Sequence, residues 1–420
     1  MTALRALVFL VFSAVAFRAA AASDVAWVPS ELLPPAPATG PMLCPGAYLT
    51  PEKGKAVLEA ALVRFPDRAT WDAYAQHVRQ RIQEGAGLSP WPKRTPLNAV
   101  IRQRREHDGY SVENVAFESI PGYFVTGNLY RPLGVAPPYA AVLSPHGHTG
   151  AVAKPEDYDK QGRFEPEMQR RCASLARMGA VVFAIDMFAA DDSIQLLGQD
   201  AHTQPLAFTM QTWDAMRAID FLLSLEGVDP KRVGVSGYSG GGTQTFMLAA
   251  LDPRIAVSIP VAMVSSYFFG GCPCESGQPV HRSADHFASN AMIAALAAPR
   301  PMLVISDGKD WTQHTPEIEF PFLRKIYTYY GATQNVTNAH FPTEGHDYGP
   351  NKRAAAYRFF AQYLGLNLAA ILTPDGRIDE SHTTIEHAPQ LHVFDAEFPI
   401  PPNALHDAAA IEKALRAAQR

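Results

Sequence analysis

Arg232-Val233-Gly234-Val235-Ser236-Gly237-Tyr238-Ser239-Gly240-Gly241-Gly242-Thr243 is the stretch on which the reading of this chain turns. A short apolar run enters Gly-x-Ser-x-Gly, and small and apolar residues continue to Leu251, a pattern that reads as buried strand, tight turn and helix. Such a turn pushes its serine outward. The flanking glycines are required because a β-carbon there would collide with the neighbouring chain. Ser239 is therefore the candidate nucleophile, and because a hydroxyl is weakly nucleophilic at neutral pH it needs a histidine base and a carboxylate to orient that base.

Outward from this turn the chain alternates between strand and helix. Apolar runs at Ala140 to Ser144, Ala180 to Ile185, Ile255 to Val261 and Pro301 to Ser306 read as strands. Helical spacing occupies Glu167 to Met178, Leu206 to Leu225, Gly241 to Leu251, Glu319 to Tyr330 and Asn351 to Leu364. Before them, Ser111 to Ser119 and Gly122 to Tyr130 alternate as an antiparallel pair. The architecture expected is α/β: a mostly parallel central sheet with antiparallel N-terminal strands and helices on both faces.

Further upstream, residues 23–96 combine a proline-rich arm with two helices, Pro51 to Arg64 and Thr70 to Glu84, that read as a cap. Residues 97–372 form the catalytic unit. Residues 373–420 are an extension, with strand pairing expected around Thr384 to Phe394 and a closing helix from Ala404 to Ala418.

In a strand-end site the partners of Ser239 follow as acid and then histidine. His346, in Glu344-Gly345-His346-Asp347-Tyr348-Gly349, lies between the last strand-like stretch and the last helix and is the expected base; His340, inside that stretch, is its competitor. Asp310, on the turn after Met302 to Ser306, is the expected acid, with Glu275 as the alternative and Asp307 as a turn-closing residue. Negative charge developing on an attacked carbonyl calls for fixed N–H donors, which Gly240 and His148 of Pro145-His146-Gly147-His148 would supply from the main chain. Tyr238, Trp311, Tyr267 and Phe268 are candidates for the pocket wall.

These segments, Gly237 to Thr245, Pro145 to His148, Gly271 to Glu275, Ser306 to Thr312 and Glu344 to Tyr348, resemble a bacterial group of α/β-hydrolases related to acetyl xylan esterases and dienelactone hydrolases. The resemblance implies the α/β-hydrolase fold and a Ser-Asp-His esterase acting on acyl or methyl esters of plant polysaccharides. It departs from dienelactone hydrolases, whose nucleophile is cysteine, and from its relatives at Asp186 to Ser193, where a glycine-rich turn is usual. A serine peptidase of the oligopeptidase type and a noncatalytic binding protein are the competing readings of the same fold.

Composition narrows the partners. The 420-residue chain has a formal charge of -5 with 18% charged residues, which recommends neither nucleic acid nor an anionic membrane as partner. No cofactor is expected, and the resemblance implies a carbohydrate-linked ester as substrate. Arg5, the apolar run Ala6 to Phe17 and the alanines 20–22 read as a signal peptide over residues 1–22, too short to span a bilayer, and imply a secreted or periplasmic protein. Of the four cysteines, Cys172 reads as a buried thiol; Cys272 and Cys274 stand too close for an easy mutual bridge, so one of them is expected to pair with Cys44. His146 and His148 form a histidine pair without a third ligand in the sequence, so no metal site is expected.

Overall fold

A computed structural model describes residues 27–32, 46–47, 49–148, 159–276, 279–283 and 285–420. Its centre is a nine-stranded sheet. The strands are β1 (Val100–His107), β2 (Tyr110–Ile120), β3 (Tyr123–Pro132), β4 (Tyr139–Pro145), β5 (Ala180–Ile185), β6 (Val228–Tyr238), β7 (Val257–Val261), β8 (Met302–Asp307) and β9 (Val336–Phe341). Across the sheet they run β9-β8-β7-β6-β4-β5-β3-β2-β1. Contacts from β5 through β9 are parallel, whereas β1, β2 and β3 join by antiparallel ladders. This is the α/β arrangement expected, with one further edge strand, β1.

Period-2 alternation decides which side of the sheet each residue serves. In β5, Val181, Phe183 and Ile185 enter one core while Ala180, Val182 and Ala184 enter the other. The first core is covered by α4 (Pro205–Ser224), α5 (Gly240–Leu251) and α6 (Glu319–Thr328). The second is covered by α3 (Pro166–Arg177) and α7 (Pro350–Leu364). Strands buried on both faces read as continuous apolar runs, which is why the sequence gives them clearly.

The N-terminal helices α1 (Pro51–Arg64) and α2 (Arg68–Gly85) belong to the first core. Thr50 caps α1 ahead of Pro51, and Asp67 caps α2 in a reciprocal box with Thr70. Trp71, Tyr74, Val78 and Ile82 lie along one side of α2. The Trp71 ring stands 6.0 Å from that of Phe322, and the Tyr74 hydroxyl donates to the Phe287 carbonyl at 2.6 Å.

The C-terminal extension differs from expectation. No strand forms over 384–394; a single short helical turn, Ala388–Leu391, stands in its place. Its carbonyls are taken by side chains instead of a ladder: Asn114 donates to Gln390 and His392, and Asn128 and fully buried Arg163 donate to Leu391. The closing helix α8 (Ala408–Ala418) is capped by Asp407, buries Ile411 and Leu415, and is held to the end of α2 by Arg416, which donates to the Gly87 carbonyl at 2.8 Å. Among the described residues no helix is long and apolar enough to cross a membrane. The leader expected over 1–22 lies outside the described residues.

Candidate active site

Strand β6 delivers Ser239 to the end of the sheet, and α5 begins at the next residue. Ser239 has φ 54° and ψ −125°, a conformation side-chain-bearing residues rarely adopt and one worth roughly 1–3 kcal/mol of strain. The surrounding packing sustains it: the Ser239 N–H donates to Val261 in β7 at 3.1 Å. The glycine requirement is geometric. A β-carbon on Gly237 would stand 2.5 Å from the Pro145 carbonyl oxygen, and one on Gly241 would meet the same atom at the same distance.

His346 follows β9 and Asp310 follows β8, and the fold brings them together: His346 Nδ1 donates to Asp310 Oδ2 at 2.6 Å. The Asp310 carboxylate is held in turn by the Thr312 N–H and hydroxyl, both at 2.6 Å. Trp311 packs its ring 4.5 Å from His346 and stacks on Phe268 at 3.9 Å; Tyr238, the neighbour of Ser239, has its ring 6.2 Å from His346. Tyr267 lies instead against His314, with ring centroids 6.1 Å apart.

The competing residues have other partners. Asp307 pairs with fully buried Lys352 at 3.1 Å. His340 Nδ1 is bonded to Ser306 at 2.9 Å, within the sheet edge. Glu275 turns to His148, Oε1 to Nδ1 3.4 Å, and accepts the Gly271 N–H. Burial alone would raise the Glu275 carboxyl, but the His148 imidazole and the Gly271 N–H outweigh it and hold it below the ordinary carboxylate range.

The loop after β4 presses on the serine turn. A β-carbon on Gly147 would stand 3.0 Å from that of Ser239, and one on Gly240 would stand 2.4 Å from His148 Cε1. The two histidines of this loop part company. His146 lies 3.1 Å from Asp191 and accepts the Met187 N–H. His148 reaches His202, a residue the sequence reading passed over because it stands alone in a polar turn. Burial first, and then the neighbouring His148 imidazole, depresses His202 to about 3.

Cys272 and Cys274 are joined to each other, which corrects the expected bridge to Cys44. The helical turn Pro273–Ser276 sets their Cα atoms 5.3 Å apart, inside the span a disulfide requires. Cys44 lies outside the described residues, and Cys172 is a buried free thiol, as read.

Comparison with known proteins places this chain among ester hydrolases. A fungal glucuronyl esterase family model matches residues 190–274, from the Asp191 segment through the serine turn to Cys274. A solved methylesterase, BT1017, is 37% identical, with 89% of this chain and 81% of that one covered and a TM-score of 0.79. The 4-O-methyl-glucuronoyl methylesterase of Neurospora crassa is 24% identical over 207 residues, 41% of this chain and 51% of that protein. A glucuronoyl esterase from Teredinibacter turnerae T7901, 14% identical with a TM-score of 0.51, covers 70% of this chain and 85% of that one and shares the fold. The matched part of this chain spans between about half and three fifths of two curated relatives and 19% of a third.

Proposed function

This chain belongs to the α/β-hydrolase esterase family that includes the methylesterase BT1017, and on that premise we propose that it hydrolyses carboxylic esters on plant-type polysaccharides through an acyl-enzyme on Ser239. The observation that carries the proposal is an imidazole whose Nδ1 is committed to Asp310 and whose ring stands 6.2 Å from that of Tyr238, the residue that leads into the strained Ser239 turn. That commitment leaves Nε2 of His346 as the basic nitrogen.

In this reading His346 Nε2 takes the Ser239 proton as Oγ attacks the ester carbonyl, and the resulting oxyanion is held by the Gly240 and His148 main-chain N–H groups. The alcohol leaves with the proton from His346, and water attacks the acyl-enzyme with the same nitrogen as base. Asp310 keeps the Nδ1–H tautomer and stabilises the imidazolium. Trp311 and Tyr238 wall the imidazole.

The names of the relatives favour a methyl ester of a uronic acid over the acetyl ester that the sequence alone put first. They give no support to the peptidase or binding readings. A polymeric substrate of this kind also suits the secreted or periplasmic placement implied by the apolar run Ala6 to Phe17. The test measures methanol and acetate released side by side from methyl-esterified pectin, methyl glucuronate, acetylated xylan and 4-nitrophenyl acetate, by the protein and its Ser239→Ala variant. Methanol release that the variant loses by about 10³-fold or more supports the proposal. Acetate release alone would replace the substrate, and turnover unaffected by the substitution would remove Ser239 from the chemistry.

A further inference from the structure

Beside the serine turn, three segments converge on one point. His148 comes from the loop after β4, His202 from the turn Gln199–Thr203, and Cys272 and Cys274 from the loop and helical turn that follow β7. One donor atom from each lies within 4.8 Å of every other. Cys274 Sγ is 3.0 Å and Cys272 Sγ 3.7 Å from His148 Nε2.

The acceptors on the far sides of the two rings decide what faces this point. His202 Nδ1 stands 2.6 Å from the Phe188 carbonyl oxygen, which can only accept, so Nδ1 carries the proton. His148 Nδ1 faces the Glu275 carboxylate at 3.4 Å, an oxygen that likewise can only accept, so its proton belongs on Nδ1. With a proton on each Nδ1, the two Nε2 atoms face each other 2.6 Å apart. Two lone pairs at that distance repel unless a cation or a proton lies between them. One imidazole anchored by a carboxylate and another by a backbone carbonyl is also the outer arrangement that orients histidines on a metal.

We propose that His148, His202, Cys272 and Cys274 bind one zinc ion when the two cysteines are reduced. Thiolates and imidazoles in a four-coordinate set suit zinc, and at Zn–N bonds of about 2.1 Å two tetrahedral nitrogens stand roughly 3.4 Å apart, so the rings need to part by less than about 1 Å. Binding to the dithiol releases two protons, one from each thiol. Oxidation of the pair by a disulfide-exchange oxidant takes two electrons from the sulfurs, closes the Cys272–Cys274 bond and ejects the ion; a dithiol or phosphine reductant restores the site by returning two electrons and two protons. The ion holds the His148 ring against the first residue of α5 and so positions the loop beside Ser239; it touches no reacting atom.

The experiment uses the full chain, reduced with a phosphine, loaded with zinc sulfate and freed of excess metal. Zinc is measured by mass spectrometry, and parallel loading with cobalt(II) gives a spectroscopic reading. The expected result is about one zinc per chain and tetrahedral cobalt bands with a sulfur-to-cobalt charge-transfer absorption, both falling to near zero in Cys274→Ser, in His202→Ala and in wild-type protein oxidised to the bridge. Circular dichroism identifies any variant that fails to fold, and the oxidised wild type then carries the comparison. Reduced protein with both thiols titratable but no zinc above trace overturns the proposal, as does oxidised protein that binds zinc equally well. Metal content is read without substrate, so this outcome is independent of which ester is cleaved.

Discussion

Asp307, the last residue of β8, and Asp310, three residues further on in the turn that follows, have opposite duties: Asp310 accepts from His346 at 2.6 Å, and Asp307 neutralises buried Lys352 at 3.1 Å. Their amide variants should therefore fail differently. Asp310→Asn is expected to lower kcat by about 10³–10⁴ because the imidazole loses its orienting partner, with the denaturation midpoint little changed. Asp307→Asn leaves Lys352 with the half-exposed Asp347 carboxylate and the Gly345 and Asp347 carbonyls and is expected to cost about 3 kcal/mol, while folded protein retains most of its turnover. Paired urea titrations and ester assays separate the two; equal kinetic defects would refute the assignment.

Glu319 gives a pH dependence of stability. Burial pushes its carboxyl up to about 7, although Oε1 accepts from the Ser266 N–H at 2.8 Å and hydroxyl at 2.7 Å, while Oε2 is buried without a partner. With the folded value above the unfolded one, its contribution is fully present below about pH 4.5 and is lost as pH rises through about 7, on the order of 3 kcal/mol in all. Glu319→Gln keeps the acceptor for Ser266 and removes the ionisation. Its melting temperature should exceed that of the wild type at pH 8 and match it at pH 5, and parallel curves across that range would show that Glu319 does not titrate there.

What could be read from the sequence followed from burial. β5 and α5 are apolar because both are enclosed, and the Gly-x-Ser-x-Gly turn is legible because sterics leave few residues that fit. β1 was missed: Val100–His107 is polar and half exposed, and its Arg105 and His107 are satisfied by Glu386 from the far end of the chain. His202 and the Cys272–Cys274 pair carry no local signal either, since what gives them meaning is their convergence on His148. Pairings across hundreds of residues leave no periodicity to find.

The C-terminal extension should prove structural. Arg163, fully buried, pairs with Asp186 and Asp192, and Asp192 also takes the Val393 N–H at 2.7 Å and His392 Nδ1. A chain ending at Asp379 would lose the Leu391, His392 and Val393 contacts of this cluster and the Glu386 partner of β1. Such a chain is expected to unfold several kcal/mol more easily than the full chain, and Asp192→Asn alone to cost about 3–5 kcal/mol. Guanidinium unfolding reads both; a truncated chain as stable as the whole would reduce the extension to a passive cover.

Glycines near the site are not equivalent, and the difference tests which turn does the positioning. A β-carbon on Gly237 would press on the Pro145 carbonyl oxygen at 2.5 Å and on the Gly241 carbonyl oxygen at 2.7 Å, and neither backbone can give without moving Ser239 or the loop that carries His148. Next to His346, a β-carbon on Gly345 would meet nothing within 4 Å. Gly237→Ala should therefore abolish measurable turnover and lower stability by at least about 1–3 kcal/mol. Gly345→Ala should leave stability within about 0.5 kcal/mol and kcat within a few fold. A severe kinetic loss in Gly345→Ala, with the fold intact, would mean that the histidine loop must bend during turnover in a way the resting geometry does not require.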